Sequence, residues 1–267
     1  MLGLGLLALN APGQVLIDSG FGTGSGYQQI ALGSNGGSQT VQVSAGNNAG
    51  RMLVAVVTTR TTSGSRTINE LSFGGDDFLT TGVSAVADND LTTEFFYLPN
   101  PTTTASSDLV ANITGINRGA GVAIFSLYNT AGTAPTLFGS PQVGNNSSSG
   151  SSTVTASTTQ PDTFVMSAIS VRDPDNAITN DGDQTTSFLD WNPSGNTSEY
   201  RFNVAVGTES LAAPGSTSLT WLWAGGNNPT DFSHAAIQIA PVPEPGTAFL
   251  VTLGLAVVGM GASRRRR

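Results

Sequence analysis

The chain has 267 residues, of which only 10% are charged, and it contains neither cysteine nor lysine. Four of its ten arginines close the C-terminus, so the chain before them holds six arginines against eighteen acidic residues, a formal charge of −12. This charge argues against nucleic acid and anionic lipid as partners, and the lack of cysteine excludes disulfides, thiolate metal sites and a cysteine nucleophile.

The first thirteen residues, MLGLGLLALNAPG, are predicted to be the second part of a secretory signal peptide. Leu2 to Leu9 form an apolar run, and Leu9-Asn10-Ala11 is a weak cleavage site with small residues. Because no basic residue precedes the run and Pro12 follows the site, we expect a start placed too far downstream or a fragment. The alternative is that residues 2–9 form a first strand or loop.

Residues 14–240 are predicted to form one all-β domain. Thr, Ser, Gly and Asn replace the charged residues of helical surfaces, and no stretch before residue 246 has a convincing helical period. Eleven segments carry β-branched or aromatic runs bounded by turn residues. They are 14–18, 39–44, 51–60, 68–73, 92–98, 108–114, 121–128, 163–171, 198–206, 217–223 and 235–240.

The apolar pattern of these segments predicts a two-sheet β-sandwich, jelly-roll-like in its connections. Residues 52–57, 121–125 and 163–166 are apolar on both faces, which is typical of central strands. Residues 40–44 alternate, as a half-exposed strand does. The segment 144–152, GNNSSSGSS, is predicted to be a loop within this domain, because neither half is expected to close its own core.

Four sequence blocks follow one another in this domain: NNAGRMLVAV (47–56), LSFGG (71–75), FYLPNP (96–101) and AIFSL (123–127). Together they resemble a β-sandwich module that recurs in secreted bacterial proteins. Phe73 and Phe96 stand where that module has Tyr and Trp. The resemblance implies one sandwich domain used as a surface module, and it brings no catalytic residues.

Two kinds of binding site are open to this domain. Alternating carboxylates near a glycine collect the oxygen ligands of a hard cation, so a structural calcium ion is predicted at one loop. No other cofactor is required, and Asp and Asn also cap turns without any metal. The predicted ligands are Asp173, Asp175, Asp181 and Asp183.

Carbohydrate is the second predicted ligand class, because tryptophan rings stack on sugars. Trp191, Trp221 and Trp223 are the candidates, although all three suit a sandwich core equally well. A glycoside hydrolase, with two carboxylates drawn from Glu70, Glu94, Asp190 and Glu199, is the less favoured alternative. His234 is the single histidine and lacks a nucleophile elbow, so a structural role is expected and the protein is predicted not to be an enzyme.

The last part of the chain, residues 241–267, has three components in order. Val242, Pro243, Glu244 and Pro245 come first, and their prolines forbid regular helix there. Seventeen uncharged residues from Thr247 to Ser263 follow, long enough as a helix for a thin bilayer. The terminal arginines are predicted to stay cytoplasmic, with the domain outside. They are Arg264, Arg265, Arg266 and Arg267.

This order resembles the PEP-CTERM sorting signal, which is a substrate of the membrane protease-transpeptidase exosortase. The resemblance implies processing near Pro243-Glu244-Pro245 after a stage held in the inner membrane, followed by release or attachment at the cell surface. It further implies a Gram-negative bacterium that makes extracellular polysaccharide or a biofilm matrix. A buried C-terminal helix is the alternative, but four arginines would be hard to place there.

Overall fold

The computed structural model describes residues 14–22, 26–44, 48–62, 66–87, 91–102, 106–146, 150–172, 178–182, 184–191, 202–223 and 230–242. Within these ranges the chain has nineteen strands in antiparallel sheets and no helix, which confirms the predicted all-β class. Nothing in the same ranges is a helix that could span a bilayer. The predicted span from Thr247 to Ser263 lies outside the described residues.

The first ten strands form two sheets. Inner sheet 1 has the order β1-β10-β4-β8-β7, with β2 also paired to β10, and outer sheet 1 has the order β3-β9-β5-β6. The strands are β1 (Leu16–Ile17), β2 (Tyr27–Gly33), β3 (Gly37–Ser44), β4 (Met52–Arg60), β5 (Thr67–Phe73), β6 (Asp76–Asp77), β7 (Leu79–Ala87), β8 (Leu91–Pro99), β9 (Ser106–Thr114) and β10 (Gly119–Tyr128).

The remaining nine strands form two more sheets. Inner sheet 2 has the order β11-β19-β14-β17-β16, with β12 also paired to β19, and outer sheet 2 has the order β13-β18-β15. The strands are β11 (Thr136–Leu137), β12 (Gln142–Asn146), β13 (Gly150–Thr158), β14 (Thr163–Arg172), β15 (Thr179–Asn180), β16 (Thr185–Trp191), β17 (Phe202–Leu211), β18 (Gly215–Trp223) and β19 (Thr230–Ile239).

The two halves repeat one topology. In inner sheet 1 the order β10-β4-β8-β7 matches β19-β14-β17-β16 of inner sheet 2, and β3-β9-β5 matches β13-β18-β15. The register agrees too, because Gly37 pairs with Ile113 as Gly150 pairs with Trp223. We call residues 16–128 the first module and residues 136–239 the second. The two-sheet sandwich predicted from the sequence is therefore present twice, as four sheets.

The two inner sheets pack against each other through a shared apolar core. Val54 and Val56 of β4 belong to the same buried cluster as Met166 and Ala168 of β14. Neighbouring strands of both modules add to it, including Phe95 of β8. Burying aliphatic and aromatic side chains contributes about 1.5–3 kcal/mol for each. This core therefore makes one body of the two modules.

Each outer sheet covers the other face of its own inner sheet. Because side chains alternate along a strand, β4 also sends Leu53 and Val57 into a second cluster with Leu109 of outer sheet 1. In the second module Val165 of β14 lies with Leu219 of outer sheet 2. Central strands with both faces covered were predicted for these segments. Each module thus has an apolar cluster between its own two sheets, while the other faces of the inner sheets meet in the shared core.

The polar segment 144–152 differs from the loop that its composition predicted. Gly144 lies in β12 and pairs with Phe232, and Gly150 begins β13 opposite Trp223. A side chain at position 144 would meet the Phe232 ring, since a Cβ there would lie 2.8 Å from its Cε1 atom. Ladder hydrogen bonds are made by the backbone, so Ser, Asn and Gly can occupy edge strands.

A hydroxyl group in the middle of the shared core ties the two modules together. Thr93 of β8 is fully buried. Its Oγ1 lies 2.8 Å from Ser170 Oγ and 2.8 Å from Ser233 Oγ, and it donates to the Ser233 carbonyl oxygen at 3.1 Å. Hydrogen bonds are directional, whereas apolar contacts are not. Thr93 therefore fixes how the inner sheets align.

Replacing this hydroxyl should destabilise the protein with little change in shape. Thr93→Val leaves the Ser170 and Ser233 hydroxyls buried with a lost partner, so we expect the free energy of unfolding to fall by about 1–3 kcal/mol. Urea denaturation measures it. Thr153→Val is the matched control, because its pair with Thr220 Oγ1 at 2.9 Å is exposed and should contribute about 0.5 kcal/mol or less. Equal losses would contradict this account of Thr93.

Candidate functional site

The tail leaves the body from a short backbone ladder after β19. The Ala131 N–H donates to the Ala240 carbonyl at 3.0 Å, and the Val242 N–H donates to the Asn129 carbonyl at 3.0 Å. Between these bonds, Thr130 and Pro241 form an antiparallel bridge. We call residues 129–131 and 240–242 together the exit corner. Residues 240–242 are therefore bonded to the body.

The exit corner is held in place by the turn before β4. The Thr130 N–H and its Oγ1 both donate to the Gly50 carbonyl oxygen, each at 2.9 Å. Gly50 has a φ of 60°, and a Cβ there would lie 2.8 Å from the Thr130 carbonyl oxygen. Only glycine fits this close approach without strain.

The same corner receives the start of the described chain. Asn129 has a φ of 60°, a left-handed conformation that asparagine tolerates. Its side-chain Nδ2 donates to the Gln14 carbonyl at 3.2 Å, while its own carbonyl accepts the Val242 N–H. Segments 228 positions apart in sequence thus meet at one residue, which no local sequence pattern indicates.

Of the residues predicted for sorting, the structure describes only the first. Val242 is 40% exposed and lies on the exit corner. The rest lie outside the described residues: Pro243, Glu244, Pro245, the segment from Thr247 to Ser263, and Arg264, Arg265, Arg266 and Arg267.

The tryptophans proposed for sugar stacking are core residues where their side chains are described. Trp221 is fully buried and Trp223 is 4% exposed, with its ring centroid 5.1 Å from that of Phe232. Neither indole offers a face to a sugar ring. Trp191 lies in β16, but its side chain is outside the described residues.

The large indoles pack beside a strand that is short within the described residues of the second module. Where β18 has Trp221 and Trp223, the equivalent positions of β9 hold Ala111 and Ile113. The strand β15 has two residues, whereas its counterpart β5 has seven. Because protein cores are close-packed, a shorter strand needs larger neighbours. This explains the tryptophans without a ligand.

The predicted calcium loop is described only in part. Asp181 is exposed and follows Asn180, whose Oδ1 accepts the Gly182 N–H at 3.2 Å. Asp173, Asp175 and Asp183 lie outside the described residues. Among the side chains that the structure does describe, no three acidic, histidine or cysteine groups come close enough to hold a metal. Calcium binding stays a prediction.

The described glutamates of the glycosidase alternative lie on different sheets. Glu94 of inner sheet 1 is ion-paired with Arg66, and burial raises its pKa, an effect that the nearby guanidinium opposes. Glu70 of outer sheet 1 accepts a hydrogen bond from the Ser72 hydroxyl at 2.9 Å. The structure thus gives each carboxylate a separate local partner.

His234 lies in the middle of β19 and is fully buried between inner sheet 2 and outer sheet 2. Its Nδ1 is 2.9 Å from Ser152 Oγ, and its Nε2 is 2.8 Å from Ser167 Oγ. Ser167 Oγ also accepts the Trp221 indole N–H at 2.8 Å. One placement of the protons satisfies every group in this series of hydrogen bonds: the Ser167 hydroxyl donates to Nε2, and the imidazole Nδ1–H donates to Ser152 Oγ. Both partners of the imidazole are hydroxyls, so it lacks the carboxylate of a catalytic triad.

This series of hydrogen bonds, from Ser152 through His234 and Ser167 to Trp221, divides the core of the second module. Ser167 lies between Val165 and Ile169 in sequence, and these two belong to separate apolar clusters. The first module has one continuous cluster in the equivalent place. Burial lowers the pKa of His234 to about 3, so the imidazole is neutral at pH 7. Its evident role is structural.

Acid should destabilise the protein partly through His234. The unfolded state binds a proton near pH 6.5 and the folded state only near pH 3, so the contribution is complete above pH 6.5 and is lost as pH falls towards 3. The loss is at most about 1.4 kcal/mol per pH unit. Urea denaturation at pH 7 and pH 4.5 should show a steeper loss for the wild type than for His234→Gln. Parallel pH dependences would contradict the lowered pKa.

Calcium is tested by removing it. A ligand that binds only the folded state raises stability, by about 2.7 kcal/mol at a hundred times its dissociation constant. If the loop binds calcium, chelator should lower the melting temperature by several degrees, and Asp181→Asn should reduce this response. A melting temperature that chelator leaves unchanged would remove the site.

Comparison with known proteins identifies one part of the chain. Residues 241–267 match the family model of the PEP-CTERM protein-sorting motif. A search of curated proteins finds no match to the chain. The match begins at Pro241, inside the exit corner, and covers the predicted three-part tail. The chain therefore carries a PEP-CTERM sorting motif at its C-terminus, consistent with an exosortase substrate, behind an all-β body.

Proposed function

We propose that this protein is an exported, non-enzymatic component of the cell surface or extracellular matrix of a Gram-negative bacterium. In this proposal an exosortase processes its tail, and the mature body associates with extracellular polysaccharide or biofilm. The observation that carries the proposal is the sorting motif at residues 241–267, which starts two residues after the end of the last strand. A motif of this kind implies export and a membrane-held precursor.

The proposed mechanism is topological. As a helix, the seventeen uncharged residues from Thr247 to Ser263 would span about 25 Å, enough for a thin hydrocarbon core. The arginines after them, Arg264 to Arg267, would stay on the cytoplasmic side. The body would then lie outside the inner membrane, with Pro243-Glu244-Pro245 between it and the bilayer.

The body supports a binding or scaffolding role better than a catalytic one. His234 is fully buried between two hydroxyls, and the described glutamates Glu70 and Glu94 have separate partners on different sheets. Outer sheet 2 displays uncharged hydroxyl pairs, such as Thr155 Oγ1 and Ser218 Oγ at 2.8 Å. Such a surface suits contact with a neutral, hydroxyl-rich polymer.

A carbohydrate-binding module is the alternative function, and a glycoside hydrolase is less favoured still. Since Trp221 and Trp223 are buried, stacking on sugar would fall to Trp191 or to residues other than tryptophan. A glycan array with Trp191→Ala, compared with the wild type, separates a lectin from a structural matrix protein.

Cell fractionation tests the sorting proposal. In a strain with an active exosortase, the protein should lose the mass of its tail and leave the inner membrane. In the strain without that enzyme, full-length protein should remain in the inner membrane. Immunoblots of membrane, surface and medium fractions, with mass spectrometry of the C-terminus, measure both outcomes.

Replacing Pro243, Glu244 and Pro245 by alanine should reproduce the exosortase-deficient result in the wild-type strain. The matched control is Pro161→Ala combined with Pro214→Ala, because both prolines are exposed in turns far from the tail in sequence. Sorting at this motif is refuted if the triple alanine variant has the size and location of the wild type.

A further inference from the structure

We propose that the exit corner is a latch that must open before the exosortase can process the tail. The inference rests on the proposed function, because it concerns how the same cleavage segment becomes accessible. It adds that the body itself controls the rate of processing, through Asn129, Thr130 and Ala131.

The sorting motif and the folded body overlap by two residues. The family match begins at Pro241, yet Pro241 is bridged to Thr130 and the Val242 N–H is bonded to the Asn129 carbonyl. The start of the motif is therefore an added strand segment of the body. A tail leaving a free linker would have no such contacts.

The processing segment follows this strand segment at once. Pro243 to Pro245 are one to three residues beyond Val242, and each residue spans at most about 3.6 Å, so the whole segment lies within about 11 Å of the latch. An enzyme that binds an extended peptide uses its backbone groups and residues on both sides of the cleaved bond. On the N-terminal side of Pro243 these residues are 240–242, and backbone groups of Ala240 and Val242 already bond to the body. Enzyme and body thus compete for one stretch of backbone.

The latch is weak enough to open spontaneously. It consists of two backbone hydrogen bonds at 3.0 Å, and Val242 is 40% exposed. Two such bonds should hold the open form to about one molecule in ten or fewer. Processing would then be slowed by about tenfold or more relative to a tail that is always free, without being prevented.

The geometry of the latch allows it to be locked. The bonds from Ala131 to Ala240 and from Val242 to Asn129 flank the pair Thr130 and Pro241, which makes this a non-hydrogen-bonded pair. The Cα atoms of such pairs are about 4.5 Å apart, within the range that disulfides bridge. The chain has no cysteine of its own, so an engineered pair would have no competing thiol.

The test uses the full chain with Thr130→Cys and Pro241→Cys together, in a strain with an active exosortase. Pulse labelling follows conversion of precursor to mature protein, and thiol alkylation reports the disulfide. We expect the oxidised double variant to be processed at least about tenfold more slowly than the same variant kept reduced by dithiothreitol. Each single variant is a control for the loss of the threonine hydroxyl or of the proline. Equal rates for the oxidised and reduced forms would overturn the latch.

A second measurement separates failure of the latch from failure of the sorting proposal. Purified full-length chain in detergent is treated with a soluble endoprotease that cleaves after proline, and mass spectrometry follows cleavage after Pro245. The latch predicts slower cleavage after Pro245 in the oxidised double variant, with unchanged cleavage after the exposed Pro214. If the cell shows no exosortase processing at all, this assay still decides: equal cleavage after Pro245 in both redox states refutes the latch.

Discussion

The central constraint on this structure is that the central strands of both inner sheets are buried on both faces. Every residue of β4 from Met52 to Arg60 is buried, and β14 is buried from Thr163 to Val171. Backbone ladders satisfy the peptide groups of such strands, so their side chains must be apolar or must find partners inside the protein. Where polar groups do occur, as at Thr93 and His234, each meets hydroxyls across the sheets. Their hydrogen bonds are directional, whereas the apolar contacts around them are not, so these groups help to set the alignment of the packed sheets.

The repeat of one module explains how a chain with few charged residues buries so many of its side chains. Two modules share one topology, and the face that each inner sheet would otherwise expose is covered by the other module. The copies then differ in detail. The second module has a short β15, two large indoles and a polar chain through His234, whereas the first has a continuous apolar cluster. These differences follow from packing. Because Trp221 and Trp223 are buried, they are not candidates for stacking on a sugar.

The exit corner joins the fold to the tail. Asn129 bonds to both Gln14 and Val242, so two segments far apart in sequence are held at one place on the body. A sorting tail that begins inside a backbone ladder is coupled to local stability, since any opening of that ladder changes what an enzyme can reach. The folded body therefore contacts the start of the sorting motif, which is the part of the chain that a family model identifies.

The sequence by itself determined the all-β class, the doubly buried strands and the sorting motif, because each is written in local order: apolar runs such as 52–57, turn residues, and a Pro-Glu-Pro segment before an apolar stretch and arginines. A sign of the duplication was also present, since GSQTVQVS at 37–44 and GSSTVTAS at 150–157 agree at five of eight positions. Only the tertiary structure decided the four-sheet arrangement, the burial of Trp221 and Trp223, and the bonding of both Gln14 and Val242 to Asn129. Such contacts depend on which faces pack together, and periodicity shows that a face is apolar without showing what covers it.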